Sequence, residues 1–161
     1  MERTDKVNYY LDIAETVAER STCLRRHYGA IIVHEDEIIS TGYNGAPRGR
    51  KNCMDLGHCL RDTLGIPSGQ RYELCRSVHA EQNAIISAAR RDCLGATLYL
   101  AGRNPKTGEL LSDTTPCSMC RRFIINAGIK RVVCRTGEGT YEVVDVRDWI
   151  FNDDSVDMKL D

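Results

Sequence analysis

The sequence is poor in the bulkiest side chains and in proline, with two Phe, one Trp and four Pro among 161 residues. No stretch approaches the roughly 18 to 20 uninterrupted apolar residues of a bilayer span, so no membrane partner is expected. The start, MERTDKVNYYLD, has no basic segment followed by an apolar one, and the expectation is a cytoplasmic protein. Positive charge is not in excess either: 22 Lys and Arg stand against 23 Asp and Glu, a formal net charge of -1. Binding to long nucleic acids is dominated by phosphate neutralisation. This balance therefore argues against a nucleic-acid polymer as partner and leaves a single nucleotide open. There is no internal repeat, low-complexity segment or linker, and residues 1–161 read as one domain, long enough to bury a core without disulfide staples.

What the sequence does have is cysteine, eight in all. In a reducing compartment that number argues against a disulfide framework and makes metal coordination the first explanation.

Hydrophobic periodicity supplies the elements. Val7, Tyr10, Leu11, Ala14, Val17 and Ala18 recur at steps of three and four, which predicts an amphipathic helix over 5–20. Two β-branched runs, 29–34 and 37–43, predict a hairpin turning at His34, Glu35 and Asp36. Residues 44–77 hold much of the Gly and Pro and show no period beyond a turn of helix near Leu60 to Leu64. A loop that long is functional, or is ordered by something other than a core. Helical character returns over 79–91, where Ala84, Ile85, Ala88 and Ala89 form a narrow stripe, and Gly95 introduces the strand ATLYLA. After the turn-rich 104–115 come a helix over 117–126 stopped by Gly128, a strand over 130–134 and a β-rich stretch over 141–146. The acidic tail, 150–161, is expected to fray. The pattern predicts an α/β fold, a three-layer α/β/α sandwich around a mixed sheet.

Two short segments concentrate the chemistry. His79-Ala80-Glu81 opens one helix and Pro116-Cys117-Ser118-Met119-Cys120 opens another. Cysteines at i and i+3 in a first helical turn share a face, and the unpaired amides of a helix start favour thiolate over thiol. His79, Cys117 and Cys120 thus supply three ligands of a tetrahedral zinc, leaving the fourth position for water, as in catalytic sites. Glu81 does not share a face with His79 and is expected to reach over that water as acid and base. Either motif alone also occurs as a redox pair or by chance. Together, in this order, they form the H-x-E then P-C-x-x-C signature of zinc nucleobase deaminases.

The stretches STGYNGAPRG, VHAEQNAI and PCSMCRRFIINAGIKRVV closely resemble the deoxycytidylate (dCMP) deaminase branch of the cytidine deaminase superfamily, from about Cys23 to Cys134. The resemblance implies the cytidine-deaminase-like fold with five strands, and zinc-dependent conversion of dCMP to dUMP and ammonia. It further implies substrate contacts from Asn44, the Ala80 backbone and the Thr115 carbonyl, a homo-oligomer, commonly a hexamer, and dCTP and dTTP as effectors. Asn44 can equally be a turn residue serving its own backbone. Arg48, with Arg50 and Lys51, offers a phosphate cations, or else a solvated loop. Tyr141 is expected in the core. The sequence departs from the family pattern over 60–74 and 102–115.

Six cysteines remain. Cys93 and Cys134 sit beside apolar runs and read as small buried hydrophobes. Cys23, Cys53, Cys59 and Cys75 flank or lie within the long loop and would complete a second, structural zinc, with His58 as rival to Cys59. Some relatives carry an additional zinc in the corresponding region. Cys75 is excluded from the catalytic metal because a fourth protein ligand would displace its water. The competing functions are deamination of another nucleoside, nucleotide or tRNA base, a zinc-stabilised regulatory module without catalysis, and a thiol redox protein.

Overall fold

The structure, a computed structural model, describes residues 1–156. Helix α1, Lys6–Ala18, is capped by Asp5, whose carboxylate accepts from the Asn8 amide. Strands β1, His27–His34, and β2, Glu37–Tyr43, form the expected hairpin. Glu35 and Asp36 both take positive φ at its turn, the backbone that matches the twist of the flanking strands. The long connection that follows holds two single-turn helices, α2 at Cys53–Leu56 and α3 at Leu60–Thr63, and a 3-10 turn at Tyr72–Leu74. Helices α4, Ala80–Ile86, and α5, Arg90–Cys93, lead into β3, Thr97–Arg103; then come α6, Ser118–Ala127, β4, Arg131–Gly137, β5, Thr140–Asp145, and α7, Val146–Phe151.

The sheet runs in the order β2-β1-β3-β4-β5. Its β3 and β4 are parallel and its other pairs antiparallel, so the predicted mixed five-stranded sheet is found. Alternation along the strands sorts the core into two layers, as the period of two requires. Ile31, Val33, Tyr99, Ala101 and Val133 pack under α1 with Tyr10, Leu11 and Ala14. Their neighbours Ala30, Ile32, Leu98, Leu100, Val132 and Cys134 face the opposite way, onto Ala80, Ala84, Cys93, Ile124 and Val146 from α4 to α7. Helices therefore cover both faces.

Two glycines set the helices against the sheet. A Cβ on Gly29 would lie 2.0 Å from the Ala14 carbonyl oxygen, and one on Gly42 would lie 2.3 Å from both the Ala80 oxygen and the Ala84 nitrogen. Backbone contacts backbone at both places, and at Gly42 this contact seats α4 directly on β2.

Three expectations need correction. The predicted helix over 79–91 is broken: Ser87 closes α4, and Ala89, extended at φ -82 and ψ 142, starts α5. The break carries Cys93 into the core, where it is 1% exposed; a stripe of alanines offers too little apolar surface to hold one continuous helix against the sheet. The tail is ordered further than expected. Asp145 caps α7 by accepting from the Arg147 amide, Trp149 packs on the core and carries the Arg121 guanidinium 5.0 Å above its ring centroid. A 3-10 turn follows at Asp154–Val156, and the rest of the predicted tail lies outside the described residues. Tyr141 is exposed on edge strand β5, opposite Arg135, because the sheet ends there and α1 does not reach over it.

Candidate active site

The site is built where two helices begin. His79 is the residue before α4, and its amide donates to Gln82 Oε1 at 2.9 Å, which squares the helix entry. Cys117 is the residue before α6, and its sulfur accepts from the Cys120 amide at 3.5 Å. Both helices pack on the same face of the sheet, which brings the two starts together.

The Cys117 and Cys120 sulfurs lie 3.6 and 3.3 Å from His79 Nδ1. Zinc with Zn–S of about 2.3 Å and Zn–N of about 2.0 Å at tetrahedral angles separates sulfur from nitrogen by about 3.5 Å. Both sulfurs thus already stand from the imidazole nitrogen at about the spacing a tetrahedral ion requires, and all three donors lie within 4.8 Å of one another. Among the described residues no other group of three or more His, Cys, Asp or Glu brings its ligand atoms within 4.8 Å of one another.

Charge at the cluster points the same way. The hydrogen bond from Cys120, joined by His79, holds the Cys117 thiol down to about 4 against the penalty of burial. Cys120 is pushed strongly upward by the Cys117 thiolate and by burial. For His79, burial works against the charged ring, but the thiol groups of Cys117 and Cys75 outweigh it and raise the imidazole to about 10. The second thiolate is opposed by the first. A divalent cation between them removes that opposition, and the His-Cys-Cys donor set is one that zinc favours.

Glu81, on the first turn of α4, is 5% exposed and lines the cavity beside these ligands. Burial raises its carboxyl above the ordinary range, partly offset by a backbone hydrogen bond and by the charge of His79. A carboxyl placed beside three groups that could hold a metal ion, with raised proton affinity, is equipped to take and return protons.

The cavity has a volume of about 480 Å³, within the usual range for a small-molecule site. Its wall includes Asn44, Thr115 and Arg50. Arg48 is exposed on the loop and is not part of the cavity wall, and the Ala80 side chain is buried beneath β2 while its neighbours His79 and Glu81 both line the cavity. The turn after Pro47 aims the chain so that Arg50, not Arg48, faces inward. Asn44 is both turn residue and cavity wall. Its Oδ1 accepts from the Ser21 hydroxyl at 2.6 Å and the Tyr28 amide at 2.8 Å, and its Nδ2 donates to the Arg26 carbonyl at 2.9 Å. One N–H is left for a ligand.

Cys23, Cys53, Cys59, Cys75 and His58 all line the same cavity, but their ligand atoms are not drawn into a metal-holding group. Burial raises the Cys53 thiol, and the other three cysteines add to the rise. Cys93 and Cys134 are buried in the core at 1% and 2% exposure.

Several cavity residues gave no sequence signal. Arg25, Arg26, Tyr28, Arg61, Tyr72 and Arg76 all reach the wall, from a strand, a turn and an irregular segment in which no periodicity marks direction.

Comparison with known proteins places these features in context. The profile of the cytidine and deoxycytidylate deaminase zinc-binding region matches residues 4–136. The deoxycytidylate deaminase of Mycobacterium phage D29 is 39% identical over 138 residues, covering 83% of this chain and 96% of the phage protein. That of Schizosaccharomyces pombe is 36% identical over 129 residues, covering 80% of this chain and 36% of the yeast protein. The chain thus spans about a third of the yeast relative's length. Among solved structures, the dCMP deaminase of cyanophage S-TIM5 in complex with dCMP and dUMP superimposes with a TM-score of 0.56 at 26% identity, over 84% of each chain. Cytidine deaminase from Burkholderia pseudomallei shares the fold, with a TM-score of 0.57 at 19% identity over 88% of this chain and 93% of that one.

Proposed function

The chain belongs to the cytidine and deoxycytidylate deaminase family, and from that premise we propose that it hydrolyses dCMP to dUMP and ammonia with one catalytic zinc held by His79, Cys117 and Cys120. The observation that carries this reading is the buried Glu81 carboxyl in the cavity wall beside three donors already at zinc-ligand spacing. When bound, zinc acidifies a coordinated water from a pKa of nearly 16 to about 7. Glu81 takes the proton from the attacking water and delivers it to N3 of the pyrimidine. As the water oxygen bonds to C4, the same carboxyl takes the proton of the new C4 hydroxyl and hands it to the amino group, which leaves as ammonia while the C4 carbonyl forms. Both transfers favour a carboxyl with raised proton affinity, the direction in which burial moves Glu81.

A monophosphate is favoured over a bare nucleoside by the cations at the wall. Arg26, Arg50 and Arg76 reach the cavity; Arg26 already pairs with Asp113 at 3.2 Å, and Arg76 donates to the Lys51 carbonyl at 2.5 Å. Arg50 is the cation we assign to the phosphate, with Asn44 and Thr115 on the nucleoside. The cyanophage relative's dCMP and dUMP complex supports the same substrate class.

The test is a deamination screen of dCMP, CMP, dCTP and deoxycytidine by wild type and Glu81→Gln, with zinc measured on the same samples. We expect dCMP to be preferred. Glu81→Gln should keep its zinc and lose at least about a hundredfold in turnover, the usual contribution of a general acid–base. Near-normal turnover by that variant would remove Glu81 from the mechanism.

We further assign Cys23, Cys53, Cys75 and either Cys59 or His58 to a second, structural zinc. Their common cavity supports it, and the 53–75 segment must close up to complete it; one zinc per chain by elemental analysis would exclude it. Residues 1–161 form a single domain in this reading. A homo-oligomer, hexameric by family resemblance, is supported by exposed Ile86, Phe123 and Phe151 on the outer helices, and sedimentation decides it. Regulation by dCTP and dTTP predicts a dCMP rate curve that changes shape with either triphosphate, and a cytoplasmic location is read out by fractionation. No helix among the described residues is long and apolar enough to cross a membrane.

A further inference from the structure

Arg61 is an unusual residue for a connecting segment: a cation only 5% exposed, on the single turn α3. The carboxylates on either side of it in the 44–77 segment are already engaged, Asp55 with the Asn52 amide at 2.8 Å, Asp62 with Arg25 at 3.1 Å and Glu73 with Arg71. Its charge is met instead by neutral groups. Nε donates to the Gln70 carbonyl at 3.1 Å, Nη2 donates to the Pro67 carbonyl at 2.9 Å, and the guanidinium lies 4.5 Å above the centroid of the Tyr72 ring. A buried charge held by carbonyls and an aromatic face is costly to misplace, so these three contacts fix the 67–72 turn and the Tyr72 ring together. The same Tyr72 ring also meets His79. Tyr72 stands perpendicular to the His79 imidazole, edge to face, with centroids 5.0 Å apart.

We propose that Tyr72, clamped by Arg61, is a positioning residue for His79, holding the imidazole plane in the orientation that presents Nδ1 to the Cys117 and Cys120 sulfurs. His79 sits at a helix boundary, where its backbone is fixed but its ring can still turn about Cβ. The Cys117 and Cys120 sulfurs define only where Nδ1 must be, and the Cys75 thiol adds a hydrogen bond to the ring. Tyr72 blocks rotation of the ring away from them and covers one flank of it from water. Partners that orient a ligating histidine matter for metal affinity as well as for turnover. The residues that do this here come from 60–74, the segment in which the sequence departs from the family pattern, and from a side chain that never touches the ion.

This inference rests on the reading of His79, Cys117 and Cys120 as zinc ligands, and the experiment separates the two. Zinc release to a chelator and the visible band of the cobalt-substituted protein are measured for wild type, Tyr72→Leu, Tyr72→Phe and Arg61→Met. The band belonging to this cluster is identified by its loss in Cys117→Ser. Tyr72→Leu should release the metal about ten-fold faster or more, with an altered cobalt band and a fall mainly in kcat. Tyr72→Phe, which keeps the ring and loses only the hydroxyl, should restore wild-type values, and Arg61→Met should shift both readouts in the same direction as Tyr72→Leu. A Tyr72→Leu protein with unchanged release and cobalt band, or with only KM raised, overturns the positioning role and makes Tyr72 a wall of the substrate site. Failure of Tyr72→Phe to rescue also overturns it. Wild type that takes up no zinc or cobalt at this cluster overturns the metal reading itself.

Discussion

A thiol's surroundings decide whether it acts as a ligand, a nucleophile or core filling, and the eight cysteines span that range. Burial, with the charge of Asp92 behind it, raises Cys93, and burial followed by the charges of Glu81 and Glu142 pushes Cys134 up to about 12. Cys117 is held at about 4 by its neighbours. In protein stripped of metal at neutral pH, alkylation followed by peptide mass spectrometry should mark Cys117 first and leave Cys93 and Cys134 unmodified until denaturant is added. Zinc should protect Cys117. Labelling of Cys134 in the native protein as fast as Cys117 would contradict this order. The grouping of Cys117 with Cys120 was legible because three residues in a helical turn fix a distance. The relation of Cys23 to Cys53, Cys59 and Cys75 was not, because it depends on the path of the 44–77 segment, which is set by contacts such as Arg61 with the Pro67 and Gln70 carbonyls and not by any period. Arg48 and Arg50 could not be told apart for the same reason: neighbouring positions in a turn point in different directions.

At the scale of elements, the chemistry depends on α4 and α6 beginning side by side. Both starts could be read from sequence, since each opens on a residue of the H-x-E or P-C-x-x-C motif and α6 ends at Gly128 in the left-handed conformation. The seat of α4 could not. GYNG looked like a substrate motif, yet Gly42 is the floor on which the helix rests, and nothing local to a strand reveals that a helix 40 residues later will cross it. Gly42→Ala should therefore act on the site from a distance. Its Cβ would fall 2.3 Å from two backbone atoms of α4, and backbone cannot swing aside as a side chain can. The expected cost is about 1 to 3 kcal/mol, typical of overpacking, measured by urea unfolding, together with weaker zinc retention as His79 is displaced. Wild-type stability and metal content in Gly42→Ala would show that α4 has room to move. The break between α4 and α5 belongs to the same scale: local propensity favoured one helix over 79–91, and burial of Cys93 and Ala96 overrode it.

For the whole molecule, the three-layer arrangement followed from alternating strand and helix patterns, but what ties α1 to the hairpin was hidden in single polar residues. The Tyr10 hydroxyl donates to the Asp36 carboxylate and to the Asp36 carbonyl at 3.2 Å, and Lys6 pairs with the same carboxylate at 2.6 Å. Hydrogen bonding to Asp36, reinforced by burial, raises the Tyr10 phenol from 10.0 to about 12. The neutral phenol is the form favoured by folding. Between pH 10 and about 12 the unfolded chain loses this proton while the folded chain keeps it, so the unfolded state binds fewer protons and stability falls as pH rises. Below pH 10 both states are protonated and the full contribution remains. Cys134 adds loss of the same sign from pH 9.0 to about 12. Tyr10→Phe should lower stability near neutrality by about 1 kcal/mol, the net worth of a hydrogen bond, and should remove only its own share of the alkaline decline between pH 10 and 12, leaving the shares of Cys134 and of Tyr28 and Tyr99, whose phenols burial also raises. Denaturant midpoints taken from pH 8 to 12 would measure this, and parallel curves for the two proteins would mean that Tyr10 titrates alike in the folded and unfolded chain.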